Sequence, residues 1–116
     1  MSIELKRQAP MRAYQQYIEA LESLHGWLDT DLVHNCFLMG EEVGELFKAV
    51  RNHNRYYLEP AQDRQTDASA SKAAVAEELV DVFNYLLAIA NRLDIDLEAA
   101  FRDKNHRNQS RNWQEG

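Results

Sequence analysis

The sequence of 116 residues is poor in cysteine, glycine and proline, with one, four and two of these residues respectively. The single cysteine, Cys36, excludes an internal disulfide framework and a zinc finger, because both need several cysteines. The four glycines are scattered along the chain, so a glycine-rich phosphate-binding loop is absent. We expect Cys36 to be a buried small hydrophobe, since it falls on the apolar stripe of its helix.

Long apolar runs and an excess of positive charge are also missing. No apolar run approaches the ~18 residues of a transmembrane helix, and residues 1–7 lack the apolar core of a signal peptide, which predicts a cytoplasmic protein without a membrane partner. Lys and Arg number 13 against 19 Asp and Glu, giving a formal net charge of −6, which argues against a nucleic-acid partner. Because 45% of the residues are apolar, we expect a single folded domain over residues 1–116 and not a disordered acidic tail.

Apolar residues recur at helical spacing, and no segment shows the alternation of a strand. The predicted helices run from Pro10 to Gly26, from Thr30 or Asp31 to about Arg55, from Ser69 or Ser71 to Leu93, and from Asp96 onward. A polar connection from Tyr57 to about Ala68 joins the second and third helices, which we expect to form an antiparallel central hairpin. The sequence therefore predicts an all-α, four-helix bundle.

The third helix is apolar over so much of its circumference, Leu79 included, that three partner helices cannot cover it. We expect Leu79 to be buried in this apolar stripe. The excess of apolar surface predicts a homo-oligomer, most simply a two-fold dimer.

Two segments, residues 41–47 (EEVGELF) and 77–83 (EELVDVF), carry the same module of acids and apolar residues. Residues three and four apart share a helical face, so each module forms an acidic cluster beside an apolar stripe. Glu42 and Glu78 lie at the edges of their stripes, and Glu45 and Asp81 lie just beyond them. In the hairpin both clusters are roughly 10 to 15 Å from the turn and should meet at the same level.

Clustered acids of this kind repel each other unless they are neutralised. Two carboxylates 4 Å apart near a protein surface repel by about 4 kcal/mol at an effective dielectric of 20, and Lys48 and Lys72 are too few to compensate. All-oxygen ligation suits Mg²⁺, with Mn²⁺ as a second possibility. Since Mg²⁺ commonly borrows ligands from substrate phosphates, the modules indicate a phosphate-handling site. The alternative is an acidic helix face that is simply solvated.

The C-terminal segment offers cationic and amide groups for phosphate oxygens. Lys104, Asn108 and Arg111 share one helical face if the fourth helix persists that far, and Lys and Arg can bind phosphate oxygens. The alternative is a solvated basic end that the helix dipole favours. Trp113 either stacks on a base or anchors the tail.

The acidic motif Glu41-Glu42-x-x-Glu45 followed by Glu78-x-x-Asp81 resembles the EExxE…ExxD pattern of the MazG-like, all-α nucleoside triphosphate pyrophosphohydrolases. Residues 42–46 (EVGEL), residues 95–100 (IDLEAA) and the Lys104-x-x-x-Asn108-x-x-Arg111 pattern are similar to further stretches of that family. The resemblance covers about residues 30–113, and it departs from the family in a longer connection between the two modules.

The resemblance implies Mg²⁺-dependent hydrolysis of an NTP or dNTP between the α and β phosphates, giving a nucleoside monophosphate and pyrophosphate. It also implies a homo-oligomer, either a dimer or a dimer of dimers, and a role in clearing unwanted nucleotides. Carried over by residue, the resemblance implies that the metal ligands are Glu42, Glu45, Glu78 and Asp81. Glu41 would hold a further cation or the attacking water. The phosphates or the sugar would be contacted by Lys104, Asn108 and Arg111.

Two other readings stay open from the sequence. A phosphoribosyl-ATP pyrophosphohydrolase has similar acidic motifs, but we would expect a histidine just after the second module, where this chain has Asn84 and Tyr85. A catalytically silent helical dimer that binds nucleotide or another partner is the alternative from a different class, and the intact set of five acids argues against it. The wall of a base pocket would come from Tyr14, Tyr17, Trp27 or Phe37, each of which is alternatively a core residue.

Overall fold

The computed structural model describes residues 2–54 and 68–111, and these contain four α-helices and no strand. Helix α1 spans Met11–His25, α2 spans Leu32–Asn54, α3 spans Ala68–Arg92 and α4 spans Leu97–Gln109. The all-α prediction is confirmed, and the helix ends agree with the predicted ones to within a few residues. The predicted connection after Tyr57 and the residue Trp113 lie outside the described residues.

Local sequence explains where the helices begin and end. Pro10 precedes α1 in an extended conformation, and Gly26 ends it with a positive φ of 73°, a conformation that glycine adopts without steric cost. Asp31 accepts a hydrogen bond from the backbone N–H of His34 at 2.7 Å, and Asp96 accepts one from Ala99 at 3.1 Å. These two aspartates cap α2 and α4 as expected.

By its internal contacts the chain divides into two compact units, residues 1–29 with 87–116 and residues 30–86. The first unit holds α1, α4 and the last turns of α3, and α1 contacts α4 within it. Its buried apolar residues are Ile18, Leu87, Ala88 and Ala90. These are also the only buried apolar residues in the described part of the chain.

Polar side chains complete the interior of the first unit. The buried side chain of Gln15 donates from Nε2 to the carbonyl of Ile95 at 2.8 Å and to Oδ1 of Asn91 at 3.1 Å. Its Oε1 accepts from the N–H of Leu97 at 3.1 Å, and Asn91 donates back to the Gln15 carbonyl at 2.9 Å. One buried amide thereby ties α1 to the turn between α3 and α4 with its polar atoms satisfied.

A buried ion pair also links α1 to α3 in the first unit. Arg92 donates from Nη2 to Oε2 of Glu22 at 2.7 Å and from Nη1 to Oε1 at 3.1 Å. The same guanidinium donates to the carbonyls of Ala88 and Trp27, each at 3.1 Å. This bidentate geometry satisfies both carboxylate oxygens of Glu22.

The second unit pairs α2 with residues 68–86 of α3. Near the end of α2, Nδ1 of His53 lies 2.7 Å from Oγ of Ser71, close to the start of α3. About two to three turns further into each helix, Glu42 of α2 lies beside Glu78 and Asp81 of α3. The two helices therefore run antiparallel, as the sequence predicts.

Two residues of the second unit that the sequence predicts to be buried are exposed in the single chain. Cys36 is exposed, because its neighbour Asn35 occupies the inward position and bonds the carbonyls of Thr30 and Asp31 at 3.1 and 2.9 Å. Leu79 is 53% exposed, because it lies on the flank of α3 while Glu78 faces α2.

Within the described residues, no helix is long and apolar enough to cross a membrane.

Candidate functional site

The two acidic modules meet in the second unit. Glu42 from α2 and Glu78 and Asp81 from α3 each contribute one carboxylate oxygen to a group in which all three atoms lie within 4.8 Å of one another. We call these three residues the acidic cluster. The prediction that acids from both modules converge on one point of the hairpin is confirmed for these three.

The helices explain why these side chains converge. Glu78 and Asp81 are three residues apart and therefore neighbours on one face of α3. Glu42 projects from α2 at the same level because the hairpin is antiparallel and its ends are aligned by the contact between His53 and Ser71. Glu42 and Glu78 are half-buried, whereas Asp81 is exposed to solvent.

The surroundings of Glu42 disfavour its charged form. Partial burial, followed by the negative charges of Asp81, Glu78 and Glu45, raises the pKa of Glu42 above its ordinary value, and a hydrogen bond with Glu78 adds to this. Burial removes water from the carboxylate, and the like charges repel it. The charged form of Glu42 is therefore disfavoured at this point of the hairpin.

One oxygen of the acidic cluster is left without a partner. Oε2 of Glu78 is buried and forms no hydrogen bond within the described residues. No described Lys or Arg forms an ion pair with Glu42, Glu78 or Asp81. A buried carboxylate oxygen without a donor is costly, and an oxygen-binding cation would satisfy it.

The other two acids of the first module are placed differently. Glu45 lies close enough for its charge to raise the pKa of Glu42, but it is exposed and is not among the three acids whose oxygens converge. Glu41 is also exposed. Their predicted roles, Glu45 as a fourth ligand and Glu41 in holding a further cation or water, stay predictions.

The predicted phosphate-binding groups belong to the first unit. Lys104 is exposed on α4, and Asn108 is half-buried and donates to Oδ1 of Asn105 at 3.2 Å. The helix ends at Gln109, so Arg111 lies beyond it and is not on the helical face that the sequence predicts. Contact of these three residues with substrate stays a prediction.

The structure adds contacts that the sequence did not indicate. The ion pair between Glu22 and Arg92 joins residues far apart in the chain, and no local spacing pattern marks it. In the second unit an open groove between α2 and α3 is lined by Leu46, Phe47, Val50, Arg51, Asn54, Val75 and Leu79. The amphipathic stripes predicted this apolar surface, and the apolar circumference of the third helix predicted that the chain's own helices would not cover all of it.

The donor set of the acidic cluster fits a hard divalent cation. It consists of carboxylate oxygens alone, which suits Mg²⁺ or Mn²⁺ and disfavours metals that prefer nitrogen or sulfur. Exposed acids also cluster without a metal, so the fit rests chiefly on the unpartnered buried oxygen of Glu78.

Comparison with known proteins adds the family. The family model described as "PRA-PH: Phosphoribosyl-ATP pyrophosphohydrolase" matches residues 4–108, and a search of curated proteins finds no match. The match spans both acidic modules and nearly the whole chain. This family is the first of the two alternatives that the sequence left open, and it is an all-α family of the MazG-like superfamily. The match indicates a nucleotide pyrophosphohydrolase. The chain therefore belongs to the phosphoribosyl-ATP pyrophosphohydrolase family.

Proposed function

We propose that this protein hydrolyses the α–β phosphoanhydride bond of nucleoside triphosphates, releasing a nucleoside monophosphate and pyrophosphate. The proposal is carried by the convergence of Glu42, Glu78 and Asp81 within 4.8 Å in a member of a pyrophosphohydrolase family. A role in clearing unwanted nucleotides from the cell accompanies this reaction.

The acidic cluster, with Glu45 as a fourth ligand, would hold Mg²⁺ or Mn²⁺. The all-oxygen donor set, the unpartnered Oε2 of Glu78 and the raised pKa of Glu42 support this assignment. When bound, the cation neutralises phosphate charge and lowers the pKa of a coordinated water.

The chain's own groups would carry the remaining tasks. A carboxylate of the first module accepts the proton of the attacking water, and Glu41 positions that water or holds a further cation. Lys104, Asn108 and Arg111 contact the phosphates or the sugar by hydrogen bonds and charge. Positioning is the main contribution the protein makes to phosphoryl transfer, because little covalent chemistry falls to its side chains.

Phosphoribosyl-ATP is a second candidate substrate, and the family match favours it. This molecule also carries a triphosphate, so the same cluster serves either reaction. The residues after the second module, Asn84 and Tyr85, depart from the histidine that we expect in that enzyme, which favours simple nucleoside triphosphates.

A second copy of the chain is the proposed partner, as a dimer or a dimer of dimers. The groove between α2 and α3 exposes large apolar side chains, among them Phe47 and Leu79. All four buried apolar residues of the described chain lie in the first unit, so the described residues of one chain leave the apolar side chains of the second unit without cover. Large exposed apolar patches on soluble domains commonly mark interfaces.

A product assay separates these possibilities. The protein is incubated with Mg²⁺ and either a panel of NTPs and dNTPs or phosphoribosyl-ATP, and monophosphate, diphosphate, pyrophosphate and orthophosphate are quantified. We expect monophosphate and pyrophosphate in equal amounts and no diphosphate, and in ¹⁸O-labelled water we expect the label on the monophosphate.

The outcomes are distinct. Higher kcat/KM for phosphoribosyl-ATP than for every NTP would transfer the proposal to the second candidate. Accumulation of diphosphate or label in orthophosphate would place the attack at the γ phosphorus and refute the mechanism. The absence of turnover with every substrate would leave a nucleotide-binding protein without catalysis.

A further inference from the structure

We propose that Gln15 is a positioning residue for the substrate contacts of α4. Its buried side-chain amide fixes the first turn of that helix, and thereby the direction in which Lys104 and Asn108 are presented to the phosphates or the sugar. This inference rests on the proposed function for the role of these two residues. Gln15, α4 and the turn before α4 all lie in the first unit, so every contact involved lies within that unit.

Apolar packing does little to fix the direction of α4. None of the residues of this helix is buried within the described chain, and Phe101, its largest apolar side chain, is 66% exposed. In most helices of folded domains, the burial of an apolar face supplies the greater part of the stability and fixes the orientation. The direction of α4 therefore depends on the polar contacts at its beginning.

Gln15 supplies such contacts from α1. Its Oε1 accepts from the backbone N–H of Leu97, the first residue of α4, at 3.1 Å, and its Nε2 donates to the carbonyl of Ile95 at 2.8 Å. The N–H groups of the first helical turn have no partner inside the helix, and Asp96 satisfies that of Ala99 at 3.1 Å. The beginning of α4 is thus capped both by its own sequence and by a side chain from another helix.

Gln15 is itself held in place. Asn91 of α3 accepts from its Nε2 at 3.1 Å and donates to its backbone carbonyl at 2.9 Å. The turn that follows α3 is fixed as well, because the N–H of Ile95 donates to the carbonyl of Ala90 at 2.9 Å. The amide of Gln15 therefore joins α1, α3 and α4 as donor and acceptor at once, which an apolar side chain of the same length cannot do.

The length of α4 amplifies a small change of direction at its beginning. At 1.5 Å per residue, Lys104 and Asn108 lie roughly 10 and 16 Å along the helix from Leu97. A tilt of about 10° at Leu97 displaces them by about 2 and 3 Å, and a misplacement of about 1 Å can lower a rate by about 100-fold. Gln15 therefore controls substrate contacts that it does not itself make.

A double-mutant cycle tests this role. Gln15→Met keeps the approximate length of the side chain and removes its hydrogen bonds, and Lys104→Ala removes a cation of α4. KM and kcat are measured with Mg²⁺ and the triphosphate of highest kcat/KM for the parent, both single variants and the double variant. Each single variant should raise KM by about 10-fold or more, as for the loss of a hydrogen bond to a charged group, and kcat should change less. The double variant should raise KM by less than the product of the two factors, because Gln15 acts through Lys104.

Two variants of α1 are the controls. Gln16→Met makes the same substitution at an exposed neighbour, and Ile18→Val removes one methyl group from a buried residue of the same helix, which controls for a loss of stability alone. Both should keep the KM of the parent. Residual dipolar couplings should show a changed or averaged direction of α4 relative to α1 in Gln15→Met and the parent's direction in both controls. If Gln15→Met does not fold, Gln15→Asn takes its place, since its shorter side chain keeps the amide but not the reach to Leu97.

The outcomes separate this inference from the proposed function. A KM of Gln15→Met equal to that of the parent, with Lys104→Ala impaired, would overturn the inference and leave the hydrolysis intact. Factors that multiply in the double variant, or an unchanged direction of α4, would also overturn it, because Gln15 would then act independently of Lys104. A parent-like KM of Lys104→Ala would remove α4 from substrate binding and this inference with it, although pyrophosphate release would stand. If the parent has no turnover, the same cycle is carried out on nucleotide affinity measured by calorimetry, with the same criteria.

Discussion

The two units of the chain treat their inward-facing carboxylates in opposite ways. In the first unit Glu22 is buried and both of its oxygens accept hydrogen bonds from Arg92. In the second unit Glu78 is half-buried, one of its oxygens is enclosed without a donor among the described residues, and it lies beside the acids Glu42 and Asp81. The first arrangement is complete within the chain, whereas the second leaves a buried carboxylate oxygen without a hydrogen bond among the described residues.

The apolar residues follow the same division. The first unit encloses Ile18, Leu87, Ala88 and Ala90, while the described part of the second unit leaves Phe47 and Leu79 exposed beside an open groove. Proteins leave buried polar groups without hydrogen bonds, or apolar groups exposed, chiefly at functional or strained sites. The comparison therefore supports the proposal that the carboxylates of the second unit bind a ligand.

Removing a carboxylate of the acidic cluster should have the largest effect. Glu78→Gln and Asp81→Asn are expected to lower kcat for triphosphate hydrolysis by about 10²- to 10³-fold or more, the range for losing a preorganised charge at a reacting centre. The helical circular-dichroism spectrum should not change. Glu77→Gln, which removes an exposed acid of the same module, is the control, and a loss of activity as large in this control would contradict the assignment.

Breaking the ion pair of the first unit should cost stability instead of chemistry. Arg92→Met leaves Glu22 buried without a partner and should lower the free energy of unfolding by about 3 kcal/mol or more. Arg102→Ala removes an exposed pair with Glu98 at 3.0 Å and should cost only about 0.3 to 0.5 kcal/mol. Urea denaturation of both variants measures the difference, and equal costs would mean that burial of the pair does not matter.

Supplying the missing charge should stabilise the second unit. At a Mg²⁺ concentration of 100 times its dissociation constant, the folded state gains about 2.7 kcal/mol relative to protein in EDTA, which thermal melts would detect as a higher Tm. The gain should disappear in Glu78→Gln and persist in Glu77→Gln. A Tm in Mg²⁺ equal to that in EDTA would remove the support for a metal site.

The smallest expected effect is on the pH dependence of the metal-free protein. Because the pKa of Glu42 is raised in the folded state, the folded state binds this proton more tightly than the unfolded state does. Its contribution to stability is present below the ordinary glutamate pKa and is lost as the pH rises through the raised pKa. In EDTA, the melting temperature of Glu42→Gln should therefore be higher than that of the parent at pH values above the raised pKa. The two melting temperatures should converge at pH values below the ordinary glutamate pKa.

Glu41→Gln, which removes an exposed acid of the same module, is the control for the pH experiment. Its melting temperature should follow that of the parent more closely than the melting temperature of Glu42→Gln does. A constant difference between Glu42→Gln and the parent at all pH values would show that the proton on Glu42 is not linked to folding.

Much of the fold could be predicted because it depends on neighbours in sequence. The caps at Asp31 and Asp96 and the stop at Gly26 are signals within a few residues of the helix ends they set. The convergence of Glu42 with Glu78 and Asp81 also followed from local periodicity, once two matched modules were placed on an antiparallel hairpin.

The failed predictions depend on contacts between distant parts of the chain. Cys36 and Leu79 lie on apolar stripes, but Asn35 is buried in place of Cys36, and Glu78 faces α2 in place of Leu79. Arg92 and Glu22 carry no pattern that pairs them. Arg111 follows the end of α4, where the backbone N–H of Arg111 bonds the carbonyl of Asn108 at 3.3 Å, so helical spacing no longer applies to it.

Helix α3 belongs to both units, and this gives one continuous element two different local stabilities. Its last turns contain Leu87, Ala88 and Ala90, which are buried, whereas its first part carries exposed apolar residues and the acids Glu78 and Asp81 of the cluster. Amide hydrogen exchange follows local opening, so the protons of the last turns should exchange slowly and those near Leu79 quickly. These exchange rates should differ although both parts belong to one helix. A ligand bound at the acidic cluster should slow exchange first in the part of α3 near Leu79, which lies outside the buried core.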